Sequence, residues 1–85
     1  MMDIKILHLV TVDFVIGSVL TKHSDFSITL DTPCKCLVKY REDDSSVLGM
    51  SYYNPFSEDS TMKFEGHSIC SITNPAADVY SAYLS

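Results

Sequence analysis

Apolar residues in this chain recur at every second position, in short runs separated by small polar turns, and little before residue 74 suits a helix interior. In Ile4–Val10 (IKILHLV) both parities are apolar except at Lys5 and His8, which predicts a strand covered on two faces. Thr11-Val12-Asp13 predicts a tight reversal. The run from Phe14 to Lys22 then puts Phe14, Ile16 and Leu20 on one side and Val15 and Val19 on the other. Gly17 interrupts it, and a mid-strand glycine is expected where the backbone bends sharply or another group comes close. After polar Lys22–Asp25, FSITL alternates strictly, with Phe26, Ile28 and Leu30 on one face. Asp31-Thr32-Pro33 predicts a break, because Pro33 donates no backbone hydrogen bond and holds Thr32 extended.

CKCLVKYR resumes the alternation, with Cys34, Cys36, Val38 and Tyr40 on the inward face and Lys35, Leu37, Lys39 and Arg41 on the outward one. An acidic loop over Glu42–Ser46 leads to a strand over VLGMSYY, and Asn54-Pro55 turns the chain. A hairpin tip at Ser57–Ser60 precedes a last strand from Met62 to Ile72. Asn74-Pro75 has the composition of a helix start, since Asn supplies a capping acceptor and Pro is tolerated at the first helical position. The tail makes about two turns, with Val79, Ala82 and Tyr83 on one stripe. Strands at roughly ten-residue spacing predict an all-β domain: a small bent antiparallel barrel over residues 4–73 and a short C-terminal helix over 75–83.

Composition adds a reason to look beyond one subunit. A chain of 85 residues makes one small domain and buries only about 60–65% of the surface its unfolded form exposes. Yet 46% of its residues are apolar, with five Tyr and four Phe, more than one thin core needs. The surplus points to a subunit interface. The net charge of −5, from six Lys or Arg against eleven Asp or Glu, disfavours non-specific polyanion binding and a membrane-surface role. Any nucleic-acid contact is therefore expected to be local. Three cysteines, an odd number, follow an N-terminal apolar run that His8 interrupts and that is too short for a secretion signal. This predicts a reduced, cytoplasmic setting and no membrane span.

Candidate chemistry is sparse. Cys34 and Cys36 point the same way on a strand, but tetrahedral zinc needs four ligands, Cys70 is the one further thiol, and His8, His23 and His67 are scattered. The thiols are expected to be small apolar packing groups, with no metal or other cofactor. No nucleophile-elbow pattern accompanies them, so no catalytic residue is assigned and no enzyme is expected. Lys35, Lys39 and Arg41, with Lys22 near by, form a candidate basic stripe for phosphates, with Tyr40, Tyr52 or Tyr53 as stacking faces.

The order of elements resembles the Sm/LSm family, which includes the bacterial Sm-like RNA chaperone. GSVLTKHSDFSITL is similar to the first motif of that family, with its glycine, acidic turn residue and alternating strand. FEGHSICSI followed by Pro75 is similar to the second, with Glu65-Gly66 where Arg-Gly would stand. The resemblance spans about Ile4 to Ile72 and implies a five-stranded, strongly bent, SH3-like barrel. It also implies a homo-oligomeric ring whose pore loops bind single-stranded RNA, or DNA, in RNA or DNA processing. Those loops fall on His23, Ser24, Asp25, Phe26 and Ser27 and on Glu65, Gly66, His67 and Ser68, with Lys35, Lys39 and Arg41 as backbone holders. Three positions depart from the pattern: Ser27 replaces Asn, Asp25 takes the aromatic place, and Glu65 inverts the expected charge. The helix also differs, since relatives carry it before the first strand. These departures fit a divergent member from a phage or an environmental genome, which would work in the host cytoplasm.

Strand physics leads to a ring as well. The VLGMSYY strand and the final strand are potential free edges, and pairing one with the other from a neighbour removes both, head to tail. Leu48, Met50, Tyr52 and Ile69 are the residues expected there, and the Sm/LSm resemblance implies a ring of pentamer to heptamer size. The alternative is a structural or protein-interaction ring, such as a phage assembly component, without nucleic-acid binding.

Overall fold

The alternating runs fold into strands, with boundaries that change at Phe26, at Asp31–Pro33 and at Gly66–Ser68. The computed structural model describes residues 3–43 and 45–85, and the side chain of Lys39 lies outside the described residues. In chain order the elements are β1 (Ile4–Leu9), β2 (Phe14–Lys22), β3 (Ile28–Tyr40), β4 (Ser46–Tyr52), β5 (Thr61–Phe64), a 3-10 turn (Gly66–Ser68), β6 (Ile69–Thr73) and α1 (Ala77–Leu84). Every strand pairing is antiparallel, so the domain is all-β with one short C-terminal helix.

Connectivity forces this sheet to curl. β6 pairs β1, β1 pairs β2 and β2 pairs β3, while β3 carries β5 along its first residues and β4 along its last. β5 and β6 therefore hang on opposite ends of the path β5–β3–β2–β1–β6, yet residues 65–68 alone join them. That link reaches about 17 Å at full extension and less through a 3-10 turn. Five strands laid flat would hold the outer two about 19 Å apart, so β5 and β6 are brought together only by rolling the sheet.

The rolled interior is filled by Leu7, Leu9, Val15, Ile28, Leu30 and Phe64, with Val19, Tyr53, Met62 and Ile69 packed against them. Register explains the set: Leu7 lies opposite Val15, Leu9 opposite Ile69, Ile28 opposite Phe64, and Leu30 opposite both Val19 and Met62. Each such side chain contributes about 1.5–3 kcal/mol by leaving water. The Tyr53 ring meets Phe64 edge-on at 5.3 Å.

Asp31–Pro33 does not break the strand. Ser18 pairs Asp31 and Ile16 pairs Cys34, so Gly17 alone faces both Thr32 and Pro33, a bulge inside one continuous β3 of 13 residues. Pro33 is tolerated because β3 changes partner there, from β5 at Asp31 to β4 at Cys34, and the missing N–H falls in the gap. Thr32 takes a left-handed φ of 48°, held by its N–H donating to the Ser60 carbonyl at 2.6 Å. Gly17 is required sterically, since a Cβ there would stand 3.0 Å from both Cβ and Cδ1 of buried Leu30.

The last predicted strand is likewise recut. The 3-10 turn splits Met62–Ile72 into β5 and β6, because the chain must step from β3 to β1 across the mouth of the barrel. The described residues form six strands, where the family resemblance implies five.

The expected inward face of Cys34, Cys36, Val38 and Tyr40 is corrected too. The last β2 partner of β3 is Cys36, opposite Phe14, and beyond it β3 is paired by β4. That hairpin runs on as a ribbon with no interior to face, leaving Val38 and Tyr40 exposed. The long axis of the molecule is accordingly 46 Å against 27 and 26 Å.

α1 begins after Ala76 without a side-chain cap, and the Asn74 carboxamide oxygen instead accepts from the Lys5 ammonium. The Tyr83 hydroxyl anchors the helix, donating to the carbonyls of Asp31 (3.1 Å) and Thr32 (2.9 Å) at the bulge. No helix among the described residues is long and apolar enough to cross a membrane.

Candidate nucleic-acid interface

The turn joining β2 to β3 is built by its own polar groups. His23 N–H donates to the Ser27 carbonyl (2.9 Å) and Phe26 N–H to the His23 carbonyl (3.1 Å). Asp25 closes it as an Asx-type turn, its Oδ1 accepting from the Ser27 hydroxyl at 2.6 Å and the Ser27 N–H at 3.1 Å. Ser27 is thereby fully buried, and His23 Nε2 lies 2.9 Å from Thr29 Oγ1. These bonds push Phe26 into the left-handed region at φ 70°, with its ring 83% exposed. A bulky residue at positive φ is strained, and such strain gathers at functional sites. The sequence period had put Phe26 with Ile28 and Leu30. The strand starts at Ile28 because the turn consumes Phe26.

The second loop packs directly on this turn. Ser68 N–H donates to the Glu65 carbonyl (3.0 Å), and the Ser68 carbonyl accepts from Val10 N–H (2.8 Å), which fastens the 3-10 turn to β1. At its other end Gly66 lies against the first loop. A Cβ there would stand 2.9 Å from the Asp25 carbonyl oxygen and 3.0 Å from Phe26. His23–Ser27 and Glu65–Ser68 thus form one continuous surface at one end of the barrel. Glu65 and His67 are exposed on it, as are Ser24, Asp25 and Phe26.

Charge at this surface is mixed, with Asp25 and Glu65 against Lys22 and Lys63. Hydrogen bonds from the Ser27 hydroxyl and then its N–H hold the Asp25 carboxyl below its ordinary value, and the ammonium of Lys63 adds to this. Exposed Lys22 ends β2 at the foot of the turn, and exposed Lys63 is paired with Thr29 two residues before Glu65. Sequence reasoning missed Lys63. The alternation of MKF, which turns Phe64 inward and Lys63 outward, was the signal that could have found it.

The basic stripe does not join the loops. Lys35 is paired with Asp13 at 3.2 Å, and Thr11 Oγ1 donates to the same carboxyl at 2.9 Å. The Thr11 hydroxyl first, then Lys35, hold Asp13 below the usual carboxylate range. Arg41 sits at the far tip of the β3–β4 ribbon, where its N–H donates to the Ser45 carbonyl (2.8 Å). Along β3 that is on the order of 45 Å of chain from Ser27. The Lys39 side chain lies outside the described residues.

β4 and β6 end the sheet on opposite sides. Half-buried Leu48 and Met50 and exposed Tyr52 lie on one free edge, and Ile69 lies on the other, with its side chain packed against the core. Cys34 and Cys36 are half-buried, and burial pushes both thiols up from their ordinary value. Among the described residues no three His, Cys, Asp or Glu come together as a metal site.

No protein-family model matches the chain, and no curated protein matches it.

One consequence is testable by acid. Folding lowers the Asp25 pKa, so its contribution is fully present above its unfolded value of 3.8 and is lost as pH falls through the folded value. Urea midpoints measured from pH 7 to pH 2 are expected to fall less steeply below pH 4 in Ser27→Ala than in the parent. The substitution also lowers stability at neutral pH, because it strips the carboxylate of its strongest donor.

Proposed function

We propose that the chain is an Sm-like barrel that binds single-stranded nucleic acid, RNA foremost, on the surface where turn 23–27 meets turn 65–68. The observation that carries the reading is the packing of Gly66 on Asp25 and Phe26, which presents a strained, exposed aromatic between the two loops. Phe26 supplies a stacking face that any base can use, worth about 1–3 kcal/mol per base. Lys22 and Lys63, rather than Lys35 and Arg41, stand where they can hold phosphates on either side, and His23 and His67 add polar groups for base edges. The net charge of −5 confines such binding to this patch.

Fluorescence-anisotropy titration with oligo-U, oligo-A and single-stranded DNA at low salt tests it. Phe26→Ala is expected to weaken binding by about tenfold or more. Lys63→Glu is expected to reduce the slope of log affinity against log salt by about one, while Arg41→Glu leaves it unchanged. Absence of binding to all three oligomers at tens of micromolar protein overturns the reading.

A second reading, self-assembly into a structural ring, is favoured by a different observation. The β3–β4 ribbon carries apolar residues on both faces, Leu37 and Val47 on one and Val38 and Leu48 on the other, and an isolated two-stranded hairpin is marginal in water. Pairing the free edge of β4 with that of β6 from a neighbour would cover it. Sedimentation velocity is expected to show an oligomer that Met50→Glu dissociates. A monomer at all accessible concentrations overturns this reading and leaves the first one standing.

A further inference from the structure

Away from the two loops, a cavity of 470 Å³ opens between the β3 bulge, the end of β4 and the segment that leads into β5. Its size falls within the range of small-ligand sites. Pro33, Tyr52, Pro55 and Met62 give it an apolar and aromatic wall, and Asp59 is the charged residue among those lining it. The remaining lining residues are neutral, Thr32 and Thr61 among them. With one anion, an electron-rich ring and no cationic residue among the described lining residues, the cavity suits a positive group on an apolar stem.

Two features indicate that the walls are preformed. The segment is tied to itself, with Phe56 N–H donating to Asn54 Oδ1 (3.3 Å) and Asp59 N–H to Ser57 Oγ (3.0 Å). Thr32, at the cavity wall, is held at φ 48° from three directions: its N–H reaches Ser60, and its carbonyl accepts from Tyr83 (2.9 Å) and from the Cys34 thiol (3.6 Å). A non-glycine residue kept at positive φ by that many partners marks a wall whose shape is enforced by its surroundings. Tyr52 remains 65% exposed, so one ring face is open to a ligand.

We infer that this cavity is a binding site for an organic cation, a guanidinium or primary ammonium on a short apolar stem, with Asp59 as counter-ion and Tyr52 as the ring beneath it. Such a group can come from a free amine or from an Arg or Lys side chain of a peptide. The inference is independent of nucleic-acid binding.

The test is a two-dimensional ¹H–¹⁵N NMR titration of the full chain with agmatine, with N-acetyl-arginine amide, and with the neutral isostere N-acetyl-citrulline amide. One or both cations are expected to shift the amides of Tyr52, Asp59, Thr61 and Met62, and citrulline to bind at least about tenfold more weakly. Preference for agmatine assigns a free amine as the source, and preference for the amide assigns a peptide side chain. Asp59→Asn is expected to cost about tenfold and Tyr52→Leu about threefold, with the far-ultraviolet spectrum unchanged. Equal binding of citrulline, an unaffected Asp59→Asn variant, shifts confined to other residues, or no shift at millimolar ligand each overturns the proposal. Because the titration contains no nucleic acid, its failure leaves the two-loop surface untouched.

Discussion

Leu30→Ala is expected to lower the melting temperature by roughly 15–25 °C, the largest effect of any single truncation in this chain. Leu30 is fully buried near the start of β3, faces Val19 on one side and Met62 on the other, and has its Cβ and Cδ1 at 3.0 Å from where a Cβ on Gly17 would stand. Cutting a buried Leu to Ala costs about 3–4 kcal/mol, transfer and cavity together. A domain of this size holds only about 4–13 kcal/mol in all. The cavity has little means of collapsing, because Leu30 sits beside the bulge where Gly17 opposes Thr32 and Pro33, and that backbone is held by Ser60 and Tyr83. Thermal unfolding followed by circular dichroism measures it, with Leu20→Ala as the control. Leu20 lies on β2 but is largely exposed, so its truncation should cost little. A Leu30 variant that melts within a few degrees of the parent would mean that the core lies elsewhere.

Gly66→Ala is expected to cost about 2–3 kcal/mol and to remove nucleic-acid binding with it. The added methyl would meet the Asp25 carbonyl oxygen at 2.9 Å and Phe26 at 3.0 Å. Two of these neighbours, the Asp25 oxygen and the Phe26 carbonyl carbon, are backbone atoms, so no rotamer change relieves the clash. One loop has to withdraw. The 3-10 turn is fastened to Val10 through Ser68, so the first loop moves, and the strained φ of Phe26 has nothing left to hold it. The signature is a split between stability and binding. Phe26→Ala should weaken binding while leaving the melting point close to the parent, whereas Gly66→Ala should reduce both. Full binding by Gly66→Ala would mean that the loops do not act as one surface.

Much of this architecture was legible in the alternation. Ile28 and Leu30 could be placed together on a buried face because the strict alternation of FSITL carries into the first residues of β3, and Gly17 announced a close approach that the bulge realises. Pro33 misled because its meaning depends on the partner strand: at a point where β5 hands over to β4, the missing N–H falls in a gap and the strand runs on. Val38 and Tyr40 misled for a related reason. Their parity is that of Cys34, but whether a face is inward depends on how far β2 extends, and that distance is not written in β3. Phe26 escaped because its local bonds to His23, through the turn, outweigh the period of the strand that follows.

The candidate surface was half legible. Both loops could be named, but their contact rests on a Gly66 that has to be small for reasons located forty residues earlier in the chain. The basic stripe was legible as a pattern and wrong as a cluster for the loops, since one strand separates its two ends. Asp13 had already engaged Lys35, and Lys63 was passed over although the alternation of MKF turns it outward beside the inward Phe64.

The most direct test of the two-loop surface is an NMR titration of the ¹⁵N-labelled full chain with a short single-stranded oligo-U RNA. Shifts gathered at His23–Ser27 and Lys63–Ser68, with Lys35 and Arg41 unmoved, are the expected result. Shifts along the β3–β4 ribbon with the loops silent, or no shifts at millimolar RNA, would contradict it.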